Sequence, residues 1–206
     1  MSAASFDIQR VQRVRKAVML LGIVAVVAVA VLTRSEWGDG QFHEGVEAFG
    51  LAMIVICIVG RAWCSLYIGG RKKSEIVDRG PYSISRNPLY VFSFIGAFGV
   101  GAQTGSVSLA TLFLLVTVLV FWFTVRREED WLSEAFGAPY AAYVARTPRF
   151  GPDFSKWRDE GMLEIKPRFF LTTLRDGLVF LLAVPLFESV DRLQEIGWLA
   201  PLLHLP

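Results

Sequence analysis

Long uncharged stretches alternate with polar connections along this chain, and that alternation predicts its elements. Residues 17 to 33 contain no charged side chain, and at about 1.5 Å per residue a helix there nearly matches a hydrocarbon core of roughly 30 Å. A second apolar span covers about residues 46 to 69 and is interrupted by Arg61. The third and fourth, about 88 to 103 and 107 to 125, are separated only by the polar link Gln103 to Ser106. So short a link forces an antiparallel helical hairpin. A fifth span, about 169 to 187, has Arg175 and Asp176 in its first two turns and can begin as an interfacial helix. The pattern therefore predicts an all-α polytopic membrane protein with about five transmembrane helices, including a tight hairpin. It reads as a single membrane domain over 1–206, with an N-terminal two-helix part at 1–69, a core at 70–152, and a C-terminal interfacial segment and last helix at 153–206.

Charge orients these spans. Four basic residues precede span one, five lie between spans two and three, and eight lie between spans four and five; only Arg34 and Arg192 fall on the other side. Connections retained in the cytoplasm carry the Lys/Arg excess, so the N-terminus and the two long polar connections, 70–87 and 126–168, are expected to be cytoplasmic and the C-terminus external. Any pocket for a cytosolic cofactor belongs on the cytoplasmic side. The first span is too long for a signal h-region and is followed by charged residues, so it reads as retained.

Composition agrees with this placement: 53% of the 206 residues are hydrophobic, and the formal charge is only +2. The basic residues sit beside apolar spans, without a basic patch interleaved with stacking aromatics, which argues against a nucleic-acid partner. Cys57 and Cys64 lie two helical turns apart, too far for an unstrained disulfide. The two histidines, His43 and His204, fall in external segments, and nothing in the sequence suggests a metal site.

The candidate chemistry lies in two polar segments brought together by the hairpin: "DRGPYSISRNPLY" entering span three and "RREEDWLSEAFGAPYAAYVARTPRFGP" leaving span four. Asn87 and Pro88 suit an N-cap and first turn of a helix and need no further role. Taken together, however, "GPYxxxRNPLY" and "REExxLxxxFGxxYxxYxxRxPRFxP" resemble the isoprenylcysteine carboxyl methyltransferase and phospholipid methyltransferase superfamily of integral membrane enzymes. The resemblance covers about residues 70 to 152. Arg86-Asn87-Pro88 stands where many members have Arg-His-Pro, and is similar to the phosphatidylethanolamine N-methyltransferase branch in having Asn-Pro. That branch's Gly-x-Gly and Glu-Glu cofactor motifs look matched by Gly99-Val100-Gly101 and Glu128-Glu129, whereas the "PRFGP" tail looks more like the isoprenylcysteine branch.

The resemblance implies S-adenosylmethionine as cofactor. It also implies methyl transfer to a membrane-embedded or lipophilic acceptor, either the carboxyl of a prenylcysteine-like group or the headgroup amine of a phospholipid. It nominates Glu129, Glu128 and Arg86 as catalytic, and Tyr82, Arg86, Asn87, Pro88, Tyr90, Gly99, Gly101, Glu128, Glu129, Tyr140 and Arg149 as cofactor-binding. Their chemistry suits those roles. A guanidinium such as Arg86 can hold the cofactor carboxylate bidentately, carboxylates suit its ammonium, ribose hydroxyls and sulfonium, and Tyr82, Tyr90 and Tyr140 offer aromatic walls. Consecutive helical residues point about 100° apart, so one of Glu128 and Glu129 is expected to touch cofactor and the other to pair with Arg126, Arg127 or Arg86.

Simpler roles compete with several of these. Gly99 and Gly101 can serve helix packing. Arg61 can snorkel to the interface or lie near the cofactor. The Glu-Glu pair, placed at a helix C-terminus, opposes the helix dipole, which favours a function for it. Two other functions stay open: an NADPH-dependent sterol-type reductase with a similar hairpin, against which the Glu-Glu pair speaks, and a non-catalytic membrane scaffold of the same fold. The expected partners are a lipid or lipophilic substrate and the membrane, with no nucleic acid and no metal; a homodimer contact is left open.

Overall fold

A computed structural model describes residues 24, 27–38, 40–71 and 74–206 of the chain. The fold is all-α apart from one small strand pair. Most of the first predicted span lies outside the described residues; of its end, residues 27 to 31 are helical. They lead into β1 (Thr33–Ser35), which pairs in parallel with β2 (Leu203–Leu205). The intervening helices are α1 (Gln41–Ile68), α2 (Pro81–Ile84), α3 (Pro88–Ala102), α4 (Val107–Phe136), α5 (Ala138–Arg146), α6 (Pro167–Leu178) and α7 (Ala183–Glu195). Among the described residues α1, α4 and the segment Pro167–Glu195 are long and apolar enough to cross a membrane, and α3 is a shorter apolar helix.

Small residues set the packing of the first layer. A Cβ on Gly96 would stand 2.4 Å from Cys57 Sγ, and one on Gly99 would stand 2.6 Å from the Gly50 carbonyl oxygen. Glycine at these positions lets α3 lie directly on α1, the close approach by which membrane helices gain dispersion energy where water is absent. The hairpin between α3 and α4 turns at Gly105 (φ +64°). Ser106 then caps α4, its side chain accepting from Leu109 N at 3.3 Å, which satisfies one of the unpaired amides of the helix start. Across the bundle, Ile54 and Ile58 of α1 meet Leu109 of α4 and Ala183 and Phe187 of α7 in a buried cluster. Outward-facing Leu115, Leu119 and Phe123 form an apolar surface on α4 suited to lipid.

Three boundaries differ from the sequence pattern. Helix α4 is not a span ending near 125 but a 30-residue helix through Phe136; at about 45 Å it outruns the hydrocarbon core and carries its charged turns beyond it. The last span is broken by the tighter turn Val179–Leu182. The last span, expected to end near 187, stays helical to Glu195, and the chain then turns at Ile196 and Gly197 before reaching β2. The segment 153–166 docks on the end of α1: Trp157 stacks on Trp63 with ring centroids 5.7 Å apart, and Tyr67 donates its hydroxyl to Asp159 at 3.1 Å.

Candidate active site

The site is built where two distant segments are laced together by backbone hydrogen bonds. Arg86 N donates to Pro148 O at 2.8 Å and Asp153 N to Ile84 O at 3.0 Å, while the Ser85 hydroxyl donates to Phe150 O at 3.1 Å. The stretch 148–153 is therefore a strap across the start of α3, and the same bonds place Arg149 beside Arg86 and Asn87.

Glu129 of α4 enters this junction, and only 8% of its surface is exposed. Its Oε1 accepts from Asn87 Nδ2 at 3.1 Å. Its Oε2 accepts from Arg149 Nε at 2.9 Å and lies 2.8 Å from a terminal guanidinium nitrogen of the same arginine. Arg86 Nε stands 3.3 Å from Oε1 but makes no aligned hydrogen bond, so a buried donor remains unspent. One carboxylate thus faces two guanidiniums, a local excess of positive charge. A second layer steadies Arg149, whose guanidinium lies over Trp122, 5.4 Å from the ring centroid.

Beside this centre is a cavity of about 300 Å³, at the lower end of ligand-site volumes. Arg86, Asn87, Tyr82, Tyr90, Tyr140 and Glu128 stand in its wall. Glu128 and Glu129 diverge as consecutive helical positions must: the first faces the cavity and the second holds the arginines. Burial pushes the phenol of Tyr140 up to about 12, with the Glu129 charge adding to the effect. Burial likewise raises Tyr82 and Tyr143. These rings therefore meet a ligand as neutral phenols. The Tyr143 hydroxyl donates to Tyr82 O at 2.8 Å, tying α5 to α2.

Several placements depart from expectation. Asn87 occupies the N-cap position of α3 but makes no side-chain cap bond; its amide is turned to Glu129 and to Arg149 O (3.2 Å) instead. Pro88 does open the helix and is buried. Gly99 and Gly101 are not brought to the cavity. They lie 12 and 14 residues beyond Asn87 on α3, about 18 to 21 Å along the axis; Gly99 meets Gly50 and Ile54, and Gly101 meets Leu109, Ala110 and Phe113. The dipole argument for the Glu-Glu pair also lapses, because α4 continues for two turns past it.

Sequence reasoning passed over Tyr143, although its i,i+3 spacing from Tyr140 already put both on one helix face. It left Arg61 undecided. Arg61 lines the polar cavity and also a second one of about 520 Å³, walled by apolar residues such as Val100, Phe113, Val116 and Phe187. Phe121 is likewise common to both walls. Arg61 donates to the Ser93 hydroxyl, and its Nε is buried without a partner.

A family model described as phospholipid methyltransferase matches residues 48–139, which contain the cavity wall from Arg61 to Glu128 and the buried Glu129. Among curated proteins the chain is 36% identical to the nickel-cobalt-cadmium resistance protein NccN of Alcaligenes xylosoxydans xylosoxydans, over 89% of this chain and 86% of that one. It is 32% identical to the cobalt-zinc-cadmium resistance protein CzcN of Cupriavidus metallidurans, over 89% of this chain and 84% of that one. No solved structure matches the chain. With its helical membrane fold and a family match that covers the site from Arg61 to Glu129, the chain belongs to the isoprenylcysteine carboxyl methyltransferase and phospholipid methyltransferase superfamily.

Proposed function

We propose that this protein is an S-adenosylmethionine-dependent methyltransferase acting on a membrane-embedded or lipophilic acceptor, either a prenylcysteine-like carboxyl or a phospholipid headgroup amine. The observation that carries the reading is the pairing of the Glu129 centre with a cavity whose wall holds Glu128. The residues fit the cofactor. The Arg86 guanidinium, in the cavity wall, suits a carboxylate, Glu128 suits an ammonium or sulfonium, and the tyrosines suit an adenine. Bound there, S-adenosylmethionine would supply an electrophilic methyl group, an acceptor lone pair bonding to its carbon as the carbon–sulfur bond breaks and the sulfur leaves as a neutral thioether.

The chain's own task is to align and to keep dry. Glu129 holds Arg86, Arg149 and Asn87 in register, and with both oxygens engaged it is a positioning group rather than a base. An acceptor carboxylate arrives ionised and needs no base; for an amine acceptor, Glu128 is the group placed to take the proton. The apolar cavity that shares Arg61 and Phe121 with the polar one suits an acceptor entering sideways from the bilayer, its head at Arg61. The basic connections put the cofactor side in the cytoplasm. Because the two relatives are named for metal resistance, we also assign the methylated product to that setting.

Calorimetric titration of S-adenosylmethionine, S-adenosylhomocysteine and NADPH into detergent-purified protein tests the cofactor. Both adenosyl ligands are expected to bind, NADPH is not, and Glu128→Gln is expected to weaken binding about tenfold or more, as loss of a charged contact does. Binding of NADPH alone would put the reductase in its place, and binding of neither by folded protein the scaffold. Growth under cobalt or nickel, with wild type against Glu128→Gln, reads the resistance assignment.

A further inference from the structure

At the opposite end of α1 from the polar cavity, three side chains from distant parts of the chain converge. His43 and Glu47 lie one turn apart on α1, with His43 Nε2 and Glu47 Oε1 separated by 3.3 Å. Asp191 of α7 completes the group: one donor atom from each of the three residues falls within 4.8 Å of the others. His43 is buried, with 8% of its surface exposed, while Glu47 and Asp191 are half-buried and leave a path from solvent.

We propose that His43, Glu47 and Asp191 bind one divalent transition cation of the zinc or cobalt kind, joining the start of α1 to the end of α7. With metal–ligand bonds of about 2.0 to 2.1 Å, two ligands of a tetrahedron stand roughly 3.3 Å apart, which is the His43–Glu47 separation; Asp191, within 4.8 Å of both, closes on the ion by a small side-chain movement. A neutral imidazole and two carboxylates carry two negative charges, matching a divalent ion, and Glu44 and Glu188 add negative charge around Glu47. The imidazole separates this set from the all-oxygen sites of calcium and magnesium.

The ring is aimed by packing. It fills the space that a Cβ on Gly105 would occupy, 1.9 Å from Nδ1, and Nδ1 is buried with no hydrogen-bond partner. The ring is thus held by the hairpin turn, with Nε2 turned to Glu47. Asp191 lies one turn beyond Phe187, and Ala183, Leu186 and Phe187 form part of the apolar cavity wall. Cation binding would therefore fix that wall against α1. The site is independent of the methyltransferase reading, since it shares no residue with the Glu129 centre.

The test uses the full chain, purified in detergent without a histidine tag and freed of metal with a chelator. Zinc is titrated by calorimetry, and cobalt by its visible absorption. One cation per chain is expected, with affinity weakened about tenfold or more by each of Glu47→Gln and Asp191→Asn, and the cobalt band lost in His43→Gln. Thermal unfolding of the two nearly isosteric carboxylate variants verifies that they are folded. His204→Ala, which removes the only other histidine of the chain, is expected to bind as wild type does. Absence of binding by folded wild type, binding as tight as wild type by both carboxylate variants, or loss in His204→Ala would overturn the assignment.

Discussion

Removing the Glu129 carboxylate would leave Arg86 and Arg149 facing one another across a buried space with no anion between them. Breaking a buried ion group from one side costs about 3 to 5 kcal/mol. Glu129→Gln is therefore expected to lower thermal stability steeply and to abolish cofactor binding, whereas Glu128→Gln, in the cavity wall, should cost less stability than Glu129→Gln. Unfolding curves and titrations on both variants separate a positioning carboxylate from a ligand-facing one. Tyr140 offers a pH readout. Its folded-state pKa, about 12, lies above the ordinary tyrosine value of about 10. The stability from its buried neutral phenol is thus complete below about pH 10 and lost as pH rises through about 12. The phenolate absorbance missing from Tyr140→Phe should emerge near pH 12 in folded protein and near pH 10 in denatured protein.

At the scale of elements, α3 joins two functions at its two ends. Its first residues carry the polar centre, and its later glycines bring it onto α1 and α4. A methyl group at Gly99 would meet the Gly50 carbonyl oxygen, a backbone atom that cannot swing aside. Overpacking of this kind costs about 1 to 3 kcal/mol. Gly99→Ala is expected to lower the unfolding temperature while leaving the dissociation constant for S-adenosylmethionine unchanged in the protein that remains folded. A weakened constant would return Gly99 to the cofactor. Gly45, in α1 with open space around its Cβ position, is the control, and Gly45→Ala should hold or slightly raise stability.

Across the whole molecule, the chain ends of the described bundle are tied together. Residues 33–35 pair with 203–205, and Pro206 O accepts from both Ser106 Oγ at 2.8 Å and Ser108 N at 2.9 Å. The polar centre and the strand pair therefore lie toward opposite ends of the membrane helices. The orientation proposed from the basic connections puts the polar centre inside. Cys57 and Cys64 are both fully buried, so the native protein should be nearly blank to a membrane-impermeant maleimide. Met162→Cys, at a position 89% exposed, is expected to label only from the cytoplasmic side, and Glu36→Cys only from the other; the reverse pattern would invert the topology.

Much of this was legible in the residues themselves. Uncharged runs of near-membrane length specify helices because backbone groups in lipid must be paired internally, and the four-residue link at 103–106 admits only a hairpin. The Arg86-Asn87-Pro88 and Glu128-Glu129 motifs marked the polar centre through their resemblance to the methyltransferase superfamily. Side-chain direction was not legible. Which of two adjacent glutamates faces the cavity, and that Asn87 gives its amide to Glu129 instead of to its own helix, depend on how α3, α4 and the 148–153 strap are rotated against one another. The positions of Gly99 and Gly101 away from the cavity follow from helix rise, but only once the cavity's depth is known. The meeting of His43 and Glu47 with Asp191 has no local signal at all, because the partners come from opposite ends of the chain. Local pattern determines which segments are helices and where charge must be accommodated; the packing of those helices decides which charges meet.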